Sequence, residues 1–206
     1  MNPSSSLLLA LAFLSTAAPA QEIFHGCGRA GDATSSLVQE LNRLKNRYQP
    51  PDTAAFDSSV NLARVVKPGN DENRWNDSSG AELVGFVYAV KEGGVETCNC
   101  HATAPDGRDT HIELVLHPLE TQGKKRVIVE VTPRVRAAMN AHGVDWSTRA
   151  LKKLLVGHWV RVRGWMLYDI EHADESENTN PGARGNWRAT AWEIHPVMSI
   201  ELLSHP

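Results

Sequence analysis

Two segments of the sequence each carry a histidine and a glutamate two residues apart. They are "THIELVLHP", with His111 and Glu113, and "WEIHPV", with Glu193 and His195. Both have the composition of β-strands, in which side chains two positions apart point to the same face. An imidazole and a carboxylate on one face can serve together as ligands of zinc and related divalent ions. These four residues are therefore predicted as candidate ligands of a divalent metal, with zinc as the ion considered.

The same spacing also fits an ordinary polar strand face. Polar side chains at alternate positions of a strand commonly face water, and Glu193 and His195 could instead form structural pairs with Arg134 or Arg163. The short motifs typical of zinc sites, a CxxC pair or HExxH, do not occur in the sequence. The pattern thus leaves two interpretations open, a metal site and a solvated or structural face.

A second candidate site follows from the segment "HWVRVRGW". Arg161 and Arg163 alternate with valines, and Trp165 falls on the same side of the strand as the arginines. Exposed aromatic rings on such a face stack on bases or sugar rings, and nearby arginines hold phosphate. The predicted ligand contacts are Arg161, Arg163, Trp165, Arg134 and Arg188. The competing interpretation is that the tryptophans belong to the core.

The N-terminal residues indicate export from the cytoplasm. Residues 1–20 contain no charged side chain, and the apolar run "LLLALAFL" is followed by "APA". This is the pattern of a signal peptide cleaved before Gln21, although Lys and Arg are missing near its start. The run is too short to span a bilayer well. We therefore predict a secreted or periplasmic protein with no membrane span in the mature chain.

Three cysteines, Cys27, Cys98 and Cys100, fit an oxidising compartment. Cys98 and Cys100 lie too close together to bond comfortably in an extended segment. The simplest arrangement joins Cys27 to either Cys98 or Cys100 and leaves one thiol over. Such a bond would tie the N-terminal part of the chain to the main domain.

Helical and β patterns divide the chain near residue 80. Leucines recur at helical spacing through "TSSLVQELNRLKNRY", and a second short helix is predicted in "TAAFDSSVNLARVV". A polar, turn-rich connector follows. Residues 21–80 are thus predicted to form a helical arm and linker, and residues 81–206 a separate β domain.

Five β segments are predicted in that domain. Their sequences are "AELVGFVYAV", "THIELVLHP", "RVIVEVTP", "HWVRVRGWMLYD" and "WRATAWEIHPVMSIELL". A helix in "WSTRALKKLLVG" lies between the third and fourth, with Ser147 or Thr148 as its N-cap and Gly157 at its end. Gly85 and Gly164 fall inside strands, where a small barrel must bend sharply.

The order β-β-β-α-β-β over residues 81–203 resembles the OB-fold, a five-stranded Greek-key barrel. The strings "ETCNC", "EVTPR" and "WEIHPV" also resemble those of an uncharacterised group of bacterial secreted OB-like proteins, a likeness that implies no particular activity. We therefore predict an all-β core within an α+β chain, with a helix between strands three and four and an N-terminal helical arm. Another small barrel or a β-sandwich fragment is the alternative.

The resemblance also implies which residues meet. OB topology brings one set near one end of the barrel: His111, Thr132, Arg134, His158, Glu193 and His195, together with Cys98, Cys100 and His101. It places a second set at the opposite end: Asp169, His172, Arg184 and Arg188.

The expected function is a binding module. OB faces bind oligonucleotides and oligosaccharides, which implies an extended anionic or sugar-like ligand such as single-stranded nucleic acid. The net charge of −3 argues against bulk attraction to polyanions but leaves room for a local basic stripe. One alternative is a metal-dependent, nuclease-like hydrolase that uses the His and Glu pairs, or Glu113, Glu130 and Arg134 around a cation and phosphate. Another is an envelope protein whose face contacts a second protein.

Overall fold

The computed structural model of the chain describes residues 22–206. The predicted signal peptide, residues 1–20, lies outside the described residues. The strands are β1 (Ile23–Phe24), β2 (Cys27–Gly28), β3 (Gly80–Glu92), β4 (Thr110–Val115), β5 (Val127–Val131), β6 (Trp159–Tyr168) and β7 (Trp192–Leu203). The helices are α1 (Ser36–Lys45), α2 (Leu62–Val65), α3 (Pro133–Ala141) and α4 (Thr148–Leu155).

Strands β3 to β7 close into a five-stranded barrel in the order β3-β4-β5-β7-β6. Neighbours are antiparallel except β5 and β7, which run parallel. The long strand β3 closes the barrel because its first half pairs with β6 and its second half with β4. The predicted closed barrel of five β segments is therefore confirmed.

Strand β6 bends at Gly164. The register between β6 and β7 shifts on both sides of this residue, and a Cβ there would lie 2.2 Å from the carbonyl oxygen of Pro196. Only a residue without a side chain lets the two backbones approach so closely. The glycine thus allows the strand to turn around a small barrel.

The barrel interior is filled by one alternate set of strand residues. It includes Leu83, Val87, Val90, Ile112, Leu114, Val127, Val129, Val131, Val160, Val162, Met166, Ile194 and Val197, all 2 % exposed or less. Successive side chains of a strand point to opposite faces. The residues between these apolar positions therefore project from the outer wall, and they include all four members of the two His/Glu pairs.

Helices α3 and α4 both lie between β5 and β6. The hydroxyl of Ser147 caps α4 by accepting a hydrogen bond from the backbone N–H of Ala150. Leu151 and Leu155 are buried on one face, and Gly157 follows the helix with a φ of +83°, a conformation that glycine adopts without strain. The start signal, the apolar stripe and the stop signal thus coincide in this segment.

Two other helical segments differ from expectation. The segment "TAAFDSSVNLARVV" forms only a 3-10 turn at Thr53–Ala55 and the single turn α2. Helix α3 is not predicted from the sequence, in which "TP" is interpreted only as the end of a strand. Thr132 nevertheless caps this helix and Pro133 occupies its first turn, a combination typical of helix starts.

Residues 22–50 lie against the outside of the barrel. The guanidinium of Arg47 donates to the carbonyl oxygens of Met166 and His195 at 2.9 and 3.1 Å. A disulfide joins Cys27 to Cys100, which settles the pairing that the sequence left open, and Cys98 is a buried free thiol. Among residues 22–206 no helix has the length and apolarity to cross a membrane.

Candidate functional site

The outer wall formed by β4, β5 and β7 carries charged side chains that are buried. His111, Glu130, Glu193 and His195 are at most 5 % exposed, because three segments cover this wall: residues 22–50, 93–109 and 169–191. Each contributes charged groups of its own. We call the resulting set the charged layer: Lys45, Glu96, Asp109, His111, Glu130, Asp169, Arg188, Glu193 and His195.

His195 on β7 is oriented by its neighbour two residues before it. Nδ1 of His195 lies 2.9 Å from Oε1 of Glu193, and since a carboxylate only accepts, this nitrogen carries the proton. The other oxygen of Glu193 accepts from Arg188 at 2.7 Å, and both side chains of that ion pair are fully buried. Arg188, Glu193 and His195 are thus linked by hydrogen bonds that fix the position of the imidazole.

Glu130 on β5 lies beside two imidazoles. One of its oxygens is 2.9 Å from Nε2 of His111, and the other is 3.7 Å from Nδ1 of His195. Asp109, at the end of the loop before β4, approaches the other nitrogen of the second imidazole, with 3.9 Å between its Oδ2 and Nε2 of His195. Asp109, Glu130 and His195 therefore form the centre of the charged layer.

Lys45 at the end of α1 occupies the other part of the layer. Its ammonium lies 2.9 Å from Glu96, 3.0 Å from Asp169 and 3.3 Å from Glu171, while its own side chain is 1 % exposed. His172 lies 3.0 Å from the same Asp169 oxygen. The lysine thus connects the N-terminal segment electrostatically to both long loops.

The free thiol of Cys98 links the two parts. Its sulfur lies 3.5 Å from Glu96 and 3.8 Å from Asp109. Burial, reinforced by these carboxylates, raises the pKa of Cys98 well above its usual range. The thiol is therefore protonated and shielded, which argues against a nucleophilic role.

The electrostatics of the centre favour positive charge. Burial alone would lower the pKa of His195, but the carboxylates of Glu130, Asp109 and Glu193 outweigh it and raise that pKa to about 9. Burial raises the pKa of Asp109 to about 6. For Glu130 burial acts in the same direction, yet His111 and His195 lower its pKa to about 2. The carboxylates at this centre thus stabilise positive charge beside them.

The structure brings only part of the predicted metal set together. His111, Glu193 and His195 all lie around Glu130, whereas Glu113 does not, because it pairs with Lys91 at 2.6 Å and Arg126 at 2.9 Å. The face is buried, and its side chains form structural pairs. Among residues 22–206, Glu193 pairs with Arg188 and His195 and not with the Arg134 or Arg163 considered in the alternative interpretation.

The expected separation into two ends of the barrel is wrong. Arg188 and Asp169, placed by the sequence argument at the opposite end, belong to the charged layer with Glu193 and Lys45. The loop 169–191 folds back over the wall, so its residues reach the strand that follows it. His158, expected near His195, is exposed and its Nδ1 is 3.2 Å from the carbonyl oxygen of Val156.

The predicted ligand-contact residues lie in three places. Arg161 and Arg163 are on the outer face of β6, paired with Glu82 and Glu201. Trp165 donates to the carbonyl oxygen of Gln49 and lies under Arg47. Arg134 is buried and donates to Asn46 and to the carbonyl oxygen of Cys27, and Arg188 is in the charged layer. They do not form one continuous surface.

A different surface combines aromatic rings with cations that are exposed or half-buried. The ammonium of Lys91 lies 5.1 Å from the ring centre of Trp187, and the guanidinium of Arg126 lies 4.1 Å from that of Tyr88. Both cations also contact the single carboxylate of Glu113. We call these residues, with Lys124 and Lys125 next to Arg126 in the chain, the basic–aromatic face: Tyr88, Lys91, Lys124, Lys125, Arg126 and Trp187.

Lys45 and Asp109 are site residues that the sequence does not predict. Lys45 lies on a helix predicted from its leucine spacing, and Asp109 precedes its strand within a polar loop. A signal for Asp109 is present, since "DTHIE" places three ionisable residues at alternate positions. No such signal marks Lys45, because its partners come from distant segments that cover the wall.

Comparison with known proteins adds nothing to this picture. The chain matches no protein-family model and no curated protein. The function is therefore argued from the geometry of the molecule.

Proposed function

We propose that the chain is a secreted or periplasmic OB-fold binding module for an extended anionic ligand, with single-stranded nucleic acid as the representative. The barrel order supports the OB assignment, since the third strand pairs with the fifth and the fifth with the fourth. Helices α3 and α4 lie between the third and fourth barrel strands, as in that fold. The disulfide fits an oxidising compartment.

The basic–aromatic face carries the proposal. Tyr88 and Lys91 lie on β3, and Glu113, which pairs with Lys91 and Arg126, lies on β4. The face therefore borders the outer side of the second barrel strand, and OB domains hold oligomeric ligands on the face of their second and third strands. Lys91 is 49 % exposed, and it shares with Arg126 only one buried carboxylate, that of Glu113. Two ring–cation pairs side by side offer both stacking surfaces and phosphate contacts.

A cleft next to this face adds two further cations. It has a volume of about 580 Å³ and is lined by residues of three loops, including Gln122, Lys124, Lys125 and Asn178 together with the acidic Glu177. Backbone atoms of Trp187 lie against Gly123, so the cleft begins next to Trp187 of the basic–aromatic face. A ligand that follows the face would reach the lysines next.

The hydrolase alternative has less support. Asp109, Glu130 and His195, the groups that could activate water, are 2 % exposed or less. A substrate could contact them only after the covering segments moved. A binding role at the exposed face requires no such movement.

Titration with single-stranded oligonucleotides tests the proposal. Tryptophan fluorescence should change on binding, and the affinity should fall as salt rises, since bound phosphates release counterions. In the variant Lys124→Gln/Lys125→Gln the salt slope for a single strand should decrease by about 0.7 per lost contact. Both lysines lie at the surface of the cleft, so the fold should tolerate the change.

The variant Arg161→Gln/Arg163→Gln is the matched control. It removes the same charge from the outer face of β6 and should leave the slope unchanged. If only this control variant lost oligonucleotide binding, the binding site would lie on β6 instead. If the wild-type protein bound no oligonucleotide at low salt, or bound neutral oligosaccharides equally well, the anionic-ligand proposal would be wrong.

A further inference from the structure

We propose that Asp109, Glu130 and His195 bind a divalent transition-metal ion, with zinc as the representative, at the centre of the charged layer. This inference is independent of the basic–aromatic face and of what that face binds. One imidazole and two carboxylates form a ligand set that zinc and its neighbours accept in proteins.

The three residues are already close to coordinating distance. Each offers a ligand atom, and these atoms lie within 4.8 Å of one another. Ligand atoms bound to one tetrahedral zinc at about 2.0–2.2 Å are separated by roughly 3.3–3.6 Å. Side-chain movements of roughly 1–1.5 Å would therefore bring the three ligand atoms to these separations around an ion.

Three buried atoms point to a missing partner. Within residues 22–206, no hydrogen bond is made by Oδ1 of Asp109, Oε2 of Glu130 or Nε2 of His195. Each of these residues is at most 2 % exposed. Buried polar atoms without partners are costly and are uncommon in folded proteins, and a shared ion would satisfy all three together.

The neighbouring groups prepare His195 to act as a ligand. Its Nδ1–H is held by Glu193, which directs the lone pair of Nε2 toward Asp109, 3.9 Å away. Metal-binding histidines commonly donate their second N–H to a carboxylate in this way. Arg188 in turn fixes Glu193 at 2.7 Å.

Charge balance also favours an ion. Two cations of the charged layer are already engaged, Lys45 with Asp169 and Arg188 with Glu193. A single divalent ion would balance the negative charges of Asp109 and Glu130.

Zinc uptake by the purified full-length mature protein tests the site. The protein is stripped with a chelator, exchanged into metal-free buffer and titrated with zinc in competition with a chromophoric chelator. We expect one zinc per chain and a rise in the unfolding temperature with zinc concentration, because binding to the native state stabilises it. Magnesium should not substitute, since it requires six oxygen ligands and retains water.

Three variants assign the ion to these residues. Asp109→Asn, nearly identical in shape, should lose stoichiometric uptake. Glu193→Gln removes the carboxylate that orients His195 and should weaken zinc affinity by about 10- to 100-fold. Glu113→Gln is the matched control, because Glu113 is equally buried on β4 but pairs with Lys91 and Arg126; its zinc affinity should equal that of the wild type.

Two outcomes would overturn the proposal. One is a folded wild-type protein that takes up no zinc and shows no change in unfolding temperature, which would indicate protonated histidines or a buried water instead. The other is equal loss of zinc affinity in the Glu113→Gln and Asp109→Asn variants. The wild-type measurement decides whether the protein binds zinc even if Asp109→Asn fails to fold.

Discussion

Replacement of Lys45 by methionine is expected to lower the free energy of unfolding by about 3–5 kcal/mol, the usual cost of leaving a buried charge without its partner. The ammonium is 1 % exposed and lies within 3.0 Å of both Glu96 and Asp169. Since small domains have a total stability of about 5–15 kcal/mol, this variant should approach the limit of folding. Urea denaturation followed by tryptophan fluorescence measures the difference.

Arg43→Ala on the same helix is the control. Arg43 pairs with Glu40 at 2.6 Å, but both side chains are well exposed, and such pairs contribute at most about 1 kcal/mol. Similar losses in the two variants would contradict the buried position of Lys45.

The cost of losing Lys45 should depend on pH. Burial would raise the pKa of Asp169, but Lys45, His172 and Arg188 together outweigh it and lower that pKa below its ordinary value of 3.8. The stability that the ionised carboxylate contributes is therefore present above pH 3.8 and is lost as the pH falls through the lowered pKa. The carboxylates likewise outweigh burial and raise the pKa of Lys45 above 10.5; its contribution is present below 10.5 and is lost as the pH rises through the raised pKa. The difference between wild type and Lys45→Met should therefore be greatest between about pH 4 and 10.

Breaking the Arg188–Glu193 pair should have an effect of similar size. In Arg188→Met the carboxylate of Glu193 remains buried with only His195 beside it, and we expect a loss of about 3–5 kcal/mol. Glu193→Leu leaves the buried guanidinium of Arg188 without its carboxylate partner and should have a similar cost. Both side chains of the pair are fully buried at a distance of 2.7 Å, so water cannot replace the missing partner.

The double variant distinguishes an ion pair from two independent losses. Arg188→Met/Glu193→Leu leaves neither charge behind, and it should be more stable than the sum of the single effects predicts by about 2–3 kcal/mol. Arg161→Met is the surface control, because Arg161 and Glu201 are both partly exposed, and its effect should stay below about 1 kcal/mol. Additive losses at positions 188 and 193 would contradict the coupling.

The barrel could be predicted from the sequence because strand alternation is a local property. Ile112, Val131, Val162 and Ile194 each lie between two polar residues, and this alternation identifies the inner face of their strands. The same alternation identified His111, Glu193 and His195 as neighbours on the outer face. Their approach to Glu130 then follows from strand order.

The covering of that face could not be predicted in the same way. Lys45 is a charged residue on an amphipathic helix, for which a solvated position is the normal expectation. The structure buries it, whereas Leu37 of the same helix is 63 % exposed. The reason is non-local: Glu96 and Asp169, far away in the chain, meet at the point where the helix ends. Periodicity within one segment carries no information on such a meeting.

The central claim is that a charged layer lies sealed between the barrel wall and its covering segments, and the thiol of Cys98 reports on it most directly. Cys98 is 2 % exposed and is the only free cysteine among the described residues. Under non-reducing conditions we expect negligible reaction with a thiol reagent in the native protein and one equivalent of thiol after denaturation. Rapid labelling of the native protein would show that the layer is open to solvent, and three reactive thiols after denaturation would exclude the disulfide that holds the N-terminal segment in place.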